Sequence, residues 1–304
     1  MKIAIVGAGS IGMLVASFFY SAGHHVILLT KREEQMKELR QHGLNYVYKD
    51  TERKRAMIEV NQLDNVRKLE VDCTIIAVKS YEVETILNKL SNLKGSKKAI
   101  LFLQNGMGHL HMLSNLAYSE VGVAVVEHGA LRELDYLVQH TGVGRIKWAL
   151  FTGGDQILMA MMESVHQPFF LIERRDDWQE MLESKLIVNA CINPLTALLK
   201  VENGELLHNP HFYKLMQHVF TEVQAILHLE HSQQSWDLVK QVCHNTSHNR
   251  SSMLKDVENE RKTEVDSIIG YLLIRADKQN IEAPLLNFLY EALTGNNLRR
   301  DTMC

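Results

Sequence analysis

Gly7-Ala8-Gly9-Ser10-Ile11-Gly12 is the first stretch whose residue types and spacing point to chemistry. As a bare pattern, G-x-G-x-x-G recurs often by chance. Here it follows a β-branched apolar run and opens a small, apolar segment with helical character, and that context makes it specific. The first glycine permits a tight turn, the second lets main chain approach a pyrophosphate, and the third lets helix and strand pack closely. The N–H groups of the helix that begins at Ser10 would then face an anion. The segment Gly7, Ala8, Gly9, Ser10, Ile11 and Gly12 is therefore expected to cradle a dinucleotide.

The next informative residues are Leu28-Leu29-Thr30-Lys31-Arg32, the end of a second apolar run. A site for NAD places an acid there to accept from the ribose 2′-hydroxyl. This sequence has no acid before Glu33 and offers Lys31 and Arg32 instead, cations that pair with a 2′-phosphate. The expected cofactor is NADPH, with the choice between Lys31 and Arg32 left open. Val78-Lys79-Ser80 and Gln104-Asn105-Gly106-Met107-Gly108 close two further runs and are expected on the same sheet edge, so Lys79 and Asn105 join the candidates.

Lys185, Asn189 and Asn193 follow at i, i+4 and i+8, so a helix puts them on one face among apolar neighbours. One ammonium and two amides are costly to bury without partners, and a ligand carrying a carboxylate and hydroxyls would satisfy them. Pro194 disfavours helical geometry at Asn193, which predicts a kink or a new helix start there. Ser251-Ser252 and Thr263-Glu264-Val265-Asp266 stand near further helix starts, where Glu264 has the local role of a first-turn acid.

The elements that must position these residues can be read from apolar periodicity. Strands are expected at 2–6, 25–29, 73–78 and 99–103, with helices at 10–22, 31–41 and 81–93 between them. That alternation predicts a parallel sheet covered by helices. The segments 121–130 and 143–151 read as the last strands. From about Glu173 the pattern turns helical, at 178–188, 214–229, 236–244 and 265–279. The expected domains are residues 1–172, binding the dinucleotide, and residues 173–304, all-helical.

Bulk properties narrow the classes of function. The chain has 304 residues, a net charge of −3 and 23% charged residues, with nothing to attract nucleic acid or an anionic membrane. No apolar stretch approaches the roughly 20 residues that span a bilayer. The N-terminus lacks the apolar region and cleavage site of a signal peptide. Cys73, Cys191, Cys243 and Cys304 are scattered as in a reducing compartment, so a cytoplasmic location is expected. His244 and His248 lie four residues apart, but no further ligand completes a zinc motif, and no metal is expected.

The motifs Lys185-x3-Asn189-x3-Asn193-Pro194-Leu195-Thr196-Ala197, Asn203-Gly204-Glu205-Leu206, Ser251-Ser252-Met253-Leu254-x-Asp256 and Thr263-Glu264-Val265-Asp266 together resemble the ketopantoate reductase family. The N-terminal glycine motif, Val78-Lys79, Asn105-Gly106-Met107-Gly108 and His128-Gly129-Ala130 match in the same order. The resemblance spans nearly the whole chain. It implies a Rossmann-type domain followed by a helical domain, an active site in the cleft between them, and reduction of 2-dehydropantoate to pantoate by NADPH on the way to coenzyme A. It implies Lys185 and Glu264 as catalytic residues, and Asn105, Asn189, Asn193, Asn203 and Ser252 as substrate contacts, with Asn105 also touching cofactor. Lys31, Lys79 and Ala130 join the cofactor side. Relatives often carry a single arginine at the second-strand position, where this chain has Lys31 beside Arg32.

The chemistry suits these residue types. Hydride delivery to a ketone develops negative charge on oxygen, which an ammonium stabilises and then protonates. Two alternatives stay open: an NADP-dependent reductase of another small 2-keto or hydroxy acid, and a non-catalytic NADP(H) sensor. The partner is a small-molecule substrate in both reductase readings, and a homodimer is compatible with the sequence.

Overall fold

The computed structural model describes residues 1–48 and 52–301. The chain forms two compact units, one of residues 1–104 and 111–181, the other of residues 105–110 and 182–304.

The first unit is built on an eight-stranded sheet and a four-stranded sheet. The large sheet has the order β12-β11-β8-β7-β6-β1-β2-β5, from β1 (Lys2–Val6), β2 (His25–Thr30), β5 (Glu59–Gln62), β6 (Cys73–Ile76), β7 (Ala99–Phe102), β8 (Glu120–Val126), β11 (Arg145–Gly153) and β12 (Leu171–Arg174). Its central strands are near-continuous apolar runs because both faces are covered. Ile3, Ala4 and Ile5 are fully buried, as are Ile75, Ile76 and Ile100. All neighbours are parallel except β8 and β11. Helix α1 (Ser10–Ser21) connects β1 to β2 and buries Met13 to Phe19, α2 (Glu33–His42) follows β2, α3 (Val83–Ser91) precedes β7, and α4 (Gln156–Ser164) follows β11.

Strand order reverses between β1 and β6, since β2 and β5 lie on one side and β7 and β8 on the other. In open α/β sheets, ligands collect outside the carboxyl ends of strands at such a reversal. The glycine motif follows β1, and Lys79 follows β6. The topology thus brings to one crevice two segments about 70 residues apart in sequence.

The second sheet, β4-β3-β10-β9, escapes the periodicity reading. It comprises β3 (Leu44–Tyr48), β4 (Glu52–Ala56), β9 (Gly129–Leu134) and β10 (Leu137–Gly142). Glu52-Arg-Lys-Arg-Ala56 carries four charges in five residues, which hides a strand; it is an edge, where charge is favoured. Residues 121–130, expected as one strand, divide into β8 and the start of β9.

Leu171–Arg174, expected at a domain boundary, instead pairs in parallel with β11. The compact units differ from a division at 172/173 in two places. Residues up to Met181 belong with the first unit, where Trp178 packs against Phe151, and residues 105–110 belong with the second.

The second unit is helical: α5 (Trp178–Leu199, its first turn lying in the first unit), α6 (Glu205–His208), α7 (Pro210–Leu227), α8 (Ser232–Asn245), α9 (Ser252–Glu258), α10 (Tyr271–Gln279) and α11 (Pro284–Asp301). Helix α5 runs through Pro194 to Leu199, so no new helix starts at Asn193. A π-helical turn, Asp266–Gly270, leads into α10 where one continuous helix was expected. The core of this unit gathers Ile192, Leu195, Met216, Val223, Leu254, Ile269 and Leu272. No described helix is long and apolar enough to cross a membrane.

Candidate functional site

In the first unit the glycine turn is shaped by contacts that only hydrogen permits. Gly7 has φ +108°, and a Cβ on Gly12 would stand 1.9 Å from the Gly7 carbonyl oxygen. That approach sets α1 close against β1. Gly9 differs, because a Cβ there would meet nothing within 4 Å. That leaves open space over Gly9, beside the main-chain N–H groups of the helix start. Gly9 is also the N-cap of α1, with no side-chain cap hydrogen bond and no acid in the first turn. The helix end thus has no internal acid or side-chain cap, and these features fit a dinucleotide.

Lys31 and Arg32 follow β2 as expected but stand before α2, which starts at Glu33 and not at 31, with Arg32 as its N-cap. Each is paired with a carboxylate from a distant segment. Lys31 Nζ is 2.7 Å from Glu82 Oε1, and Arg32 Nη2 bonds Asp135 Oδ1. The absence of an acid before Glu33 therefore does not describe the electrostatics of this corner. Lys79 is half-buried at the start of the turn Ser80–Glu82. Ala130 is half-buried in β9, opposite His140 of β10.

Residues outside the sequence-derived set support the turn. The buried Gln35 amide donates to the Ala8 carbonyl at 2.7 Å and to the Asp135 carbonyl at 3.2 Å. The Arg132 main-chain N–H donates to Ser10 Oγ at 3.0 Å. Gln104 Nε2 donates to the Ile76 and Val78 carbonyls at 2.8 and 3.0 Å, pinning the end of β6 to the end of β7. Gln104 Oε1 is buried without a partner among the described residues. Gln35, Arg132 and Asp135 carry no local motif; Gln104 was legible as the end of β7.

In the second unit, α5 carries Lys185, half-buried, with Asn189 and Asn193 only 6% and 8% exposed. Thr196, one turn beyond Ile192, donates to the Ile192 carbonyl at 2.9 Å and lies 2.8 Å from Ser251 Oγ. Ser251 also caps α9, accepting from Leu254 N–H at 3.0 Å. Here the inward-facing serine is Ser251, and the neighbouring Ser252 is exposed in the first turn of α9. Asn203 is buried, its Nδ2 donating to Thr246 Oγ1 at 2.9 Å while its Oδ1 has no partner among the described residues.

Asn105 and Glu264, 159 residues apart, meet in this unit: Asn105 Nδ2 donates to Glu264 Oε2 at 3.4 Å. The contact depends on Gly106, with φ +75°, where a Cβ would lie 2.2 Å from the Ser267 carbonyl oxygen. The Met107 N–H donates to that same carbonyl at 2.9 Å, docking residues 105–110 on the π-helical turn. Glu264 is 6% exposed, so its carboxylate is buried beside the Asn105 amide. Among the described residues, no cluster of three His, Cys, Asp or Glu side chains is placed to hold a metal ion. His248 is 3.7 Å from Glu202. Cys73, Cys191 and Cys243 are free and buried, and Cys304 lies outside the described residues.

A Rossmann-type sheet unit with a glycine turn at its strand-order reversal, followed by a helical unit whose α5 carries a half-buried lysine beside two buried asparagines, defines a two-unit dinucleotide-dependent oxidoreductase architecture. The comparisons make this specific. Residues 3–153 match the family model "Ketopantoate reductase PanE/ApbA", and residues 177–297 match "Ketopantoate reductase PanE/ApbA C terminal". The 2-dehydropantoate 2-reductase of Bacillus subtilis (strain 168) is 42% identical, covering 99% of each chain. That of Listeria innocua is 37% identical over 97% of this chain and 96% of its own. The chain belongs to the ketopantoate reductase family. A crystal structure of a probable 2-dehydropantoate 2-reductase from Bacillus subtilis superimposes with a TM-score of 0.86 at 41% identity, covering 97% of this chain and all of that one. A D-mandelate dehydrogenase solved with NADH and anilino(oxo)acetate has a TM-score of 0.89 at 21% identity over 99% of each chain, a likeness of fold alone.

Proposed function

We propose that this protein reduces 2-dehydropantoate to pantoate with NADPH as reductant, a step toward coenzyme A. The observation that carries the reading is the face of α5 bearing Lys185, Asn189 and Asn193 in a chain that matches the family over residues 3–153 and 177–297. The glycine turn, Lys31, Arg32, Lys79, Asn105 and Ala130 are the proposed cofactor-holding residues.

When bound, the nicotinamide supplies a hydride to the ketone carbon. The protein's task is to hold that carbon in position and manage the charge that appears on oxygen. Lys185 stabilises the developing alkoxide with its ammonium and then gives it a proton, so the hydroxyl forms without a free oxyanion. Asn189 and Asn193, with Asn105, Asn203 and Ser252, whose exposure leaves its hydroxyl accessible where that of Ser251 is taken by Thr196 and Leu254, hold the substrate carboxylate and hydroxyl. Amides and hydroxyls orient a charged substrate without competing for the proton. Asn203 suits this role through its unpartnered carbonyl oxygen, an acceptor for a substrate hydroxyl. Glu264, buried beside Asn105, fixes a substrate hydroxyl or the lysine and thereby limits the poses available to the ketone.

Steady-state NADPH oxidation with 2-dehydropantoate beside several other 2-keto acids tests the proposal. The expected result is highest kcat/KM for 2-dehydropantoate. A clear preference for a keto acid lacking the branched hydroxymethyl group would move the assignment to another 2-keto acid reductase.

A further inference from the structure

The two cations proposed to meet a 2′-phosphate are not equivalent in what already holds them. The Lys31 side chain is 81% exposed and its partner Glu82 sits on a turn, whereas Arg32 is 47% exposed and its partner Asp135 25%. Asp135 belongs to the tight turn between β9 and β10, and that hairpin is fastened to the glycine turn. Gln35 bridges the Ala8 and Asp135 carbonyls at 2.7 and 3.2 Å. The Arg132 N–H holds Ser10 Oγ at 3.0 Å, and its guanidinium lies 3.4 Å from the Ala8 carbonyl oxygen. That guanidinium is also 4.0 Å from the Asp135 carboxylate oxygen that pairs with Arg32. One carboxylate is thus shared by two arginines and fixed by main-chain bonds beside the turn.

We propose that Asp135 is a specificity-determining residue for the dinucleotide: an internal anion on Arg32 that a 2′-phosphate must share or displace. The inference rests on the cofactor proposed above. A guanidinium has five donors and can serve two anions, but the anions then repel one another. That repulsion falls on NADPH and spares NADH, whose ribose is uncharged at this position. Asp135 therefore lowers the preference for NADPH over NADH, and removing its charge raises it. The effect is modest, because the pair is open to solvent and screened.

The test is titration of NADPH and of NADH into wild type, Asp135→Asn and Asp135→Glu, following cofactor fluorescence, with thermal unfolding to verify folding. Asp135→Asn is expected to tighten NADPH by roughly two- to five-fold with NADH unchanged, and Asp135→Glu, which keeps the charge, is expected to behave as wild type. Equal shifts for both cofactors would make Asp135 a structural support of the hairpin and overturn the proposal. Weakened NADH alone would make it an acceptor for the ribose hydroxyl, and an unaltered ratio would also overturn it. Wild type that bound neither dinucleotide would remove the cofactor assignment together with this inference. Wild type that bound both, with an unaltered ratio in Asp135→Asn, would remove this inference alone.

Discussion

The proposed cofactor site at the glycine turn after β1 is made of main-chain N–H groups, whereas the proposed substrate site along α5 is made of side chains. The turn depends on what is missing: Gly12 lies where any Cβ would collide with Gly7, and Gly9 leaves space open above the helix end. The α5 face depends on what is present, with Asn189 and Asn193 buried despite their polarity. A site made from main chain is sensitive to added atoms, and one made from side chains to removed groups. The two regions should therefore fail differently when altered.

The largest effect is expected at the side-chain site. Lys185→Ala should lower kcat by roughly 10²- to 10⁴-fold through loss of the proton donor and oxyanion partner, while NADPH affinity measured by fluorescence stays close to wild type. Near wild-type turnover would take Lys185 out of the reaction, and a matching loss of NADPH affinity would erase the contrast between the two regions.

The glycine turn separates two kinds of damage. Gly12→Ala forces a contact of 1.9 Å with main chain and should cost about 1–3 kcal/mol or more of stability. Gly9→Ala meets no protein atom within 4 Å, so its melting temperature should stay near wild type while NADPH affinity falls by roughly ten-fold. A stable Gly9→Ala variant with unchanged NADPH affinity would mean that the opening is not the pyrophosphate seat.

The units also differ in their response to acid. The histidines held below their ordinary range, His24, His128 and His140, all lie in the first unit. Burial, and then the neighbouring His140, push His128 down to about 4. Its Nδ1 accepts from the Gly144 N–H at 3.1 Å and lies 3.1 Å from His140 Nε2, while the Tyr46 hydroxyl lies 3.0 Å from His140 Nδ1. With Gly144 donating to it, His128 Nδ1 is best served by a proton on His140 Nε2, which leaves no room for one of its own. The unfolded chain takes up that proton near pH 6.5 and the folded chain only near 4. Stability must therefore fall as pH drops through that window, by on the order of 3 kcal/mol from this residue. Urea unfolding between pH 7 and 4 should show a shallower decline in His128→Gln; equal slopes would remove His128 as the source.

Much of the first region could be read locally, because a tight turn, a close packing point and a helix start each require particular residues within six positions. The α5 face was legible for a related reason, since i, i+4 spacing maps directly onto one side of a helix. The second sheet was not, because β4 is a charged edge whose strand character comes from pairing with β3. Nor were Asp135 and Glu82 legible beside Arg32 and Lys31. They approach from 103 and 51 residues away, and no local pattern encodes that proximity.

The sequence by itself determined the glycine turn, the apolar strands that carry it and the helical spacing of Lys185, Asn189 and Asn193, because these follow from steric rules and periodicities acting within a few residues. Only the tertiary structure decided that Asn105 meets Glu264, that Ser251 turns inward while Ser252 faces out, and that carboxylates already sit on the cations before α2. Those outcomes depend on which distant segments pack together, and packing is set by the burial of the whole chain rather than by any one stretch of it.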